Sequence, residues 1–394
     1  MLSTADALAK VLALAPSMPV ETVPLAEADD RVLATPLSAQ RAQPPFAASA
    51  MDGYAVRAAE AMVGSVLTVT GESAAGHRAS DPLPPSSAIR IFTGAPVPDG
   101  ADAILIQEDA ERRGDAITVQ EAPLKGAYIR PAGGDFQAGF ALSAPRRLGP
   151  RDIALLAAMN QAEIPVARRP VVALIPTGDE LVAPGETPGP DQIVSSNNFG
   201  LAAMLARAGA LPRLCPIARD TRAGLLTALE AAAGADLIVT LGGASVGDHD
   251  LVAEVFGDAG LTLDFYKIAM RPGKPLMAGR VRGISMLGLP GNPVSAMVCG
   301  EIFLRPMIDA ALGLPSEPRM RSTAALAHSI GTNGPREHYM RARLSAASPP
   351  TIEIFEDQDS SRLAILSQSN ALVVRPPHAA QAETGDFVDY IPLD

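Results

Sequence analysis

Residues 236–250 read DLIVTLGGASVGDHD. An apolar run of strand length, 236–241, ends in the pair Gly242–Gly243, and the segment 251–256 that follows has helical character. A buried strand running into a glycine-rich loop and then a helix is the unit of an open α/β sheet, which binds ligands at its strands' carboxyl ends. The neighbouring sequence repeats the pattern. Residues 171–175 form another continuous apolar run, and Leu201, Met204, Leu205 and Ala208 follow the spacing of a buried helix face. Strands are predicted at 214–219 and 284–289 and a helix at 222–233, so a mostly parallel sheet with crossover helices is expected from Pro170 onward.

Outside this region the chain reads as β-rich. Short runs at 65–70, 88–92, 103–106 and 116–119 are separated by turn residues, and a helix is predicted at 151–161. After Pro315, runs at 341–344, 351–355, 371–375 and 387–391 are enough for a small barrel or sandwich. The first residues read as an amphipathic helix with Ser3 as N-cap and Asp6 in its first turn, not as a signal peptide.

The 394 residues include 34 Gly and 36 Pro, both above the usual shares of about 7% and 5%. Hydrophobic content of 47% excludes disorder as the reason, so these residues punctuate folded structure. With 32 basic and 43 acidic residues the net charge is −11, which argues against a nucleic-acid partner but not against small anions. Trp is absent and aromatics are 4%, against single-strand stacking. Cys215 and Cys299 are far apart and in no metal-binding pattern, which fits a reducing cytoplasm. No apolar run is long enough for a membrane span.

Several loops carry chemistry. Gly242, Gly243 and Gly247 allow close approach of a ligand, and the amides around Ser245 can cradle an anion. Asp248 and Asp250 add carboxylates suited to a hard divalent cation. The plain alternative is a turn with helix-capping acids. GASVG also matches a nucleophile elbow with Ser245 as nucleophile, so an α/β serine hydrolase is the alternative reading, although no oxyanion segment accompanies it. In GLPGNPVSA, Asn292 is an N-cap candidate and Pro293 suits the first helical position, giving a second anion-binding helix start beside Pro290, Gly291 and Ser295. YKIAMRPGKP supplies Lys267, Arg271 and Lys274 as a local positive pocket. PTGDELVAPG carries Glu180, and Asp220 ends CPIARD. If the sheet is parallel, Glu180, Asp220, Asp248 and Asp250 share one edge, an arrangement suited to Mg²⁺ bridging a phosphate.

SAMDGYA, IFTGAPVPDGADAILIQED, PTGDELVAPG, LGGASVGDHD and LPGNPVSA, in this order, resemble the molybdopterin molybdenumtransferase (MoeA-type) family, to which the gephyrin E domain also belongs. The resemblance spans about residue 20 to residue 375. It implies insertion of molybdenum from molybdate into adenylylated molybdopterin, with Mg²⁺ and release of AMP, by a cytoplasmic homodimer in transient contact with other molybdenum-cofactor proteins. It implies a multidomain α/β plus β fold: a central mostly parallel (MoaB/MogA-like) domain at 169–316, a linker and dimerisation unit at 1–42 with 135–168, a β-rich domain at 43–134 and a C-terminal β-barrel-like domain at 317–394. By position, Asp52, Thr93, Glu180, Asp250 and Lys267 match catalytic residues. Asp135, Gly242, Gly243, Ser245, Gly247, Arg271, Lys274, Pro290, Gly291, Asn292, Pro293 and Ser295 match substrate-binding positions, and Glu180, Asp220, Asp248 and Asp250 match metal-site positions. Arg341, Arg343 and Ser369 are looser matches. Arg271 replaces a usual lysine, keeping the charge and adding a bidentate fork. A scaffold that binds a partner protein is a third reading, disfavoured by the intact acids.

Overall fold

The computed structural model describes residues 1–243 and 251–393. Its central sheet has the strand order Leu211–Leu214, Val171–Pro176, Leu237–Leu241, Ile284–Leu289, Met277–Val281, Thr262–Tyr266. The first four strands are parallel; Met277–Val281 runs against them, and Thr262–Tyr266 pairs antiparallel with it and so runs with the first four. All of Leu237–Leu241 is buried, because both faces are covered. Val239 and Leu241 face a core shared with Leu201, Leu205, Val294 and Phe303, whereas Ile238 faces Leu225, Leu229, Val255 and Phe256. Apolar side chains on both faces give the continuous run seen in the sequence. Pro176, Leu241 and Leu289 are aligned across three adjacent strands, so the loops that follow them start side by side.

The strand predicted at 214–219 is instead Leu211–Leu214. It is an edge strand, half-exposed and containing Pro212, which the edge tolerates because one side needs no ladder bonds. The helix predicted to begin at Pro293 continues to Ala311, with a π-helical turn at Gly300–Leu304. Pro306 lies just beyond that turn, and its missing N–H and ring explain a local departure from α geometry there.

The N-terminal helix is Thr4–Ala13, and Ser3 accepts the Asp6 N–H as its cap. A four-stranded sheet pairs Val20–Pro24, Glu163–Ala167, Val32–Leu33 and Arg146–Arg147, joining chain segments on either side of 43–134. Between them, a six-stranded sheet runs Ala103–Ile106, Gly53–Val56, Ser87–Ile91, Val66–Ser73, Ala116–Val119, Ala110–Arg113. At the C-terminal end, Glu337–Leu344, Thr351–Ile354, Ser322–Leu326, Phe387–Pro392 and Ala371–Arg375 pair in turn, and the last returns to the first. This closes a β-barrel and leaves it no free edge. Met270–Arg271 adds a short strand to the barrel, with Arg271 opposite His338.

Candidate functional site

Three loops meet at the carboxyl end of the central sheet. Gly242 has φ +100° and donates its N–H to Leu289 O at 3.1 Å. A Cβ there would lie 2.8 Å from the Thr177 carbonyl oxygen, so only glycine fits. Gly291 is packed against Gly242, and its carbonyl accepts from Asn197 Nδ2 at 2.6 Å. The loop after Val171–Pro176 is joined to the loop after the edge strand by Gly178 N–H to Ala218 O and Asp220 N–H to Asp179 Oδ1, both 3.0 Å. Arg219 reinforces it through the carbonyls of Asp179 and Leu181. Partial burial, then the charges of Asp179 and Glu180, hold the Asp220 carboxyl above the ordinary carboxylate range. The structure therefore brings Glu180, Asp220, Gly242, Gly243 and the PGNP loop to one edge. Ser245, Gly247, Asp248 and Asp250 lie outside the described residues. Among the described residues, no three His, Cys, Asp or Glu side chains form a metal-binding group.

The PGNP loop departs from its expected role in one respect. Asn292 occupies the N-cap position, but its side chain does not cap; Nδ2 donates to Ser360 Oγ at 2.9 Å. Ser360 O also accepts the Val294 N–H at 3.0 Å, so one amide of this helix start is already used. Pro290 and Ser295 are buried, Pro293 is half-buried, and Gly291 and Asn292 are exposed.

The cationic segment is a connector as well as a source of charge. Ala269 N–H donates to Leu2 O at 2.8 Å, and Glu337 N–H donates to Ala269 O at 3.0 Å, so the N-terminus and the barrel both anchor it. Lys267 has φ +72°, uncommon for a non-glycine residue, and its Nζ lies 4.8 Å from the Tyr266 ring centroid. Lys274 is half-buried and Arg271 exposed. Burial, with Arg271, Arg336 and Arg341 nearby, pushes the His338 imidazole down to about 4. Arg341 is buried and bonds the carbonyls of Asp357 and Arg362 and the side chain of Gln358. Arg343 is exposed beside Phe355, and Ser369 donates to Ile365 O.

A second constellation forms elsewhere. Thr93 donates both its N–H (2.7 Å) and its hydroxyl (2.8 Å) to Asp52 Oδ1. Asp135 is exposed, in a turn held by its N–H to Gln43 O. Among the described residues, no hydrogen bond or ion pair links Asp52 or Thr93 to the strand-end loops. Asn197, Ser360 and Arg90, which shape these sites, were missed by sequence reasoning. Each acts on residues tens of positions away, although Arg90 is a lone charge inside an apolar strand.

Three family profiles match: "MoeA N-terminal region (domain I and II)" over 2–160, "Probable molybdopterin binding domain" over 173–310, and "MoeA C-terminal region (domain IV)" over 323–393. Molybdopterin molybdenumtransferase 2 of Mycobacterium tuberculosis is 37% identical over 376 residues, covering 92% of this chain and 93% of its own. The molybdopterin molybdenumtransferase of a Nostoc species is 36% identical, covering 90% of this chain and 85% of its own. A molybdopterin biosynthesis MoeA protein structure from Pyrococcus horikoshii superposes with a TM-score of 0.87 at 28% identity, covering 100% of this chain and 99% of that one. These matches give the serine hydrolase reading no support. The chain belongs to the molybdopterin molybdenumtransferase family, enzymes of molybdenum cofactor biosynthesis.

Proposed function

We propose that this molybdopterin molybdenumtransferase takes adenylylated molybdopterin and molybdate and releases AMP as molybdenum enters the dithiolene. The observation carrying this reading is the shared end of three parallel strands. Pro176, Leu241 and Leu289 align, so carboxylates, a glycine loop and a helix start converge on one ligand-sized edge. Because the Gly242 N–H is taken by Leu289 O, the backbone amides that bind phosphate are those of Gly243, Ser245 and Gly247, with Gly242 giving the close approach, and Pro290, Gly291, Asn292, Pro293 and Ser295 shape the wall beside them. Lys267, Arg271 and Lys274 bind molybdate and offset the charge developing on the reacting anions. Thr93 holds Asp52 ionised, and Asp135 contributes a further acid.

Mg²⁺ fits the donor set only together with substrate. Glu180 and Asp220, with Asp248 and Asp250, would hold it. Partial burial, then the charges of Asp179 and Glu180, already raise the Asp220 carboxyl, and a hard cation offsets that crowding of negative charge. One or two carboxylates completed by phosphate oxygens are the usual magnesium site. When bound, the ion supplies charge neutralisation at the bridging phosphates.

The working unit is a cytoplasmic homodimer in which Asp52 and Thr93 face the strand-end loops of the other subunit, with transient contacts to other molybdenum-cofactor proteins. Among the described residues, no helix is long and apolar enough to cross a membrane. The test is incubation of the purified chain with adenylylated molybdopterin, molybdate and Mg²⁺, followed by measurement of AMP and reconstitution of an apo-molybdoenzyme. AMP release that requires Mg²⁺ and accompanies active cofactor is expected. Cofactor formation without AMP release overturns the proposal.

A further inference from the structure

Arg90 lies in the strand Ser87–Ile91, opposite Tyr54 of Gly53–Val56. Its guanidinium sits over two rings, 5.1 Å from the Tyr54 centroid and 4.8 Å from that of Phe92. Nη1 donates to Gly53 O at 3.1 Å and Nη2 to Gln107 Oε1 at 2.9 Å. These contacts surround the Asp52–Thr93 pair. Gly53 follows Asp52, Phe92 precedes Thr93, and the Gln107 N–H donates to Asp52 O at 3.1 Å. Gly53 cannot move away, since its strand approaches the next so closely that a Cβ would lie 2.1 Å from Leu105 O.

We infer that Arg90 is a positioning residue for molybdenum transfer, tying the chain just after Asp52 to Phe92 beside Thr93 and to Gln107, so that the Asp52 carboxylate is presented in one geometry. The inference rests on the reading of Asp52 and Thr93 as reaction-site residues. A flat, five-donor guanidinium can lie between two rings and bond two acceptors on different chain segments, whereas a lysine ammonium lacks that planar fork. The sheet itself does not depend on the clamp. Its strands pair through backbone bonds, and its core is built from residues such as Val56, Leu67, Ala88 and Leu105. Asp52 Oδ1 is occupied by two Thr93 bonds, and among the described residues nothing bonds Oδ2. The clamp thus leaves one carboxylate oxygen available in a fixed frame.

The experiment compares Arg90→Lys, Arg90→Met, Asp52→Asn and the Arg90→Met/Asp52→Asn double variant in the full-length chain. It measures kcat and KM for cofactor formation, together with thermal melting. Both Arg90 variants are expected to lose about tenfold or more in kcat, with KM within roughly twofold. Melting is expected to be nearly unchanged, with Arg90→Lys recovering only part of the rate. The double variant is expected to be no slower than Asp52→Asn, because Arg90 acts through that carboxylate. Undiminished kcat in both Arg90 variants while Asp52→Asn is slow overturns the inference, as do additive losses in the double variant or losses that follow melting temperature. Full activity of Asp52→Asn overturns the Asp52 reading itself and the inference with it.

Discussion

Thr93 gives Asp52 two hydrogen bonds on a single oxygen, Oδ1, at 2.7 and 2.8 Å, across 41 positions of sequence. The backbone bond, then the hydroxyl bond, and last the charge of Arg90, hold the Asp52 carboxyl below its ordinary range against a smaller cost of desolvation. Asp52 is therefore a fixed anion near neutral pH, suited to accepting a hydrogen bond or binding a cation and poorly suited to donating a proton.

Replacing Thr93 separates its two bonds. Thr93→Val keeps the shape and the backbone donor but loses the hydroxyl, whereas Thr93→Ser keeps both. A hydrogen bond to a charged group is worth about 1.5–3 kcal/mol, so Thr93→Val should slow cofactor formation by about tenfold or more. Thr93→Ser should remain close to the parent rate. Steady-state kinetics on both variants decide the point, and equal rates would remove the hydroxyl from the reaction.

Gly242→Ala tests the crowding at the strand ends. The new methyl group would meet the Thr177 carbonyl at 2.8 Å in a backbone conformation that L residues avoid, and a carbonyl within a central loop cannot swing aside. A loss of about 1–3 kcal/mol in urea unfolding is expected, with lost activity. Gly257→Ala is the control. It lies in the helix Leu251–Asp258 with open space around the new group, and should be neutral or slightly stabilising. Equal stability of the two variants would contradict the packing described here.

Burial decides how legible each element is in the sequence. Ile284–Leu289 and Ala371–Arg375 are nearly or fully buried strands, so their apolar runs show both ends. Leu211–Leu214 is half-exposed with a proline and no alternation, so the apolar signal points several residues too late, to 214–219. The short helix Leu363–Gln368 has no buried residue and gave no periodic signal. Physical reading placed Glu180 and Asp220 on one edge, because strand ends of a parallel sheet are legible from order alone. Local pattern assigns Asp52 and Thr93 no role; only the family resemblance singles them out. Their contact depends on the pairing of Gly53 with Ile91, a long-range register that local pattern does not encode. Asn292 holds the N-cap position expected of it, but its side chain turns to Ser360, 68 positions away, which no local pattern encodes.

Metal dependence should be sensitive to the strand-end acids. Glu180→Gln and Asp220→Asn each remove one negative charge from a crowded edge while keeping side-chain volume. Each should raise the Mg²⁺ concentration needed for half-maximal AMP release by about tenfold or more. Chelation should stop the reaction in the parent chain, and added Mg²⁺ should restore it. Variants with an unchanged Mg²⁺ requirement would exclude these two carboxylates as its ligands.

His338 should make the fold sensitive to mild acid. Its imidazole is buried near Arg271, Arg336 and Arg341 and pushed down to about 4, whereas an unfolded histidine titrates near 6.5. Between those values the unfolded chain binds the proton and the folded chain does not, so protonation favours unfolding as pH falls. Above about pH 6.5 both states are neutral at this residue and it contributes no pH dependence. Over the full window the loss is roughly 3 kcal/mol. His338→Gln cannot titrate, so its urea midpoint should fall less than the parent's between pH 7 and pH 4.5. Other acid-sensitive groups, such as the Arg146-paired Asp152, are common to both proteins and cancel in the comparison. Parallel midpoint curves for the two proteins would show that His338 is not held neutral by its surroundings.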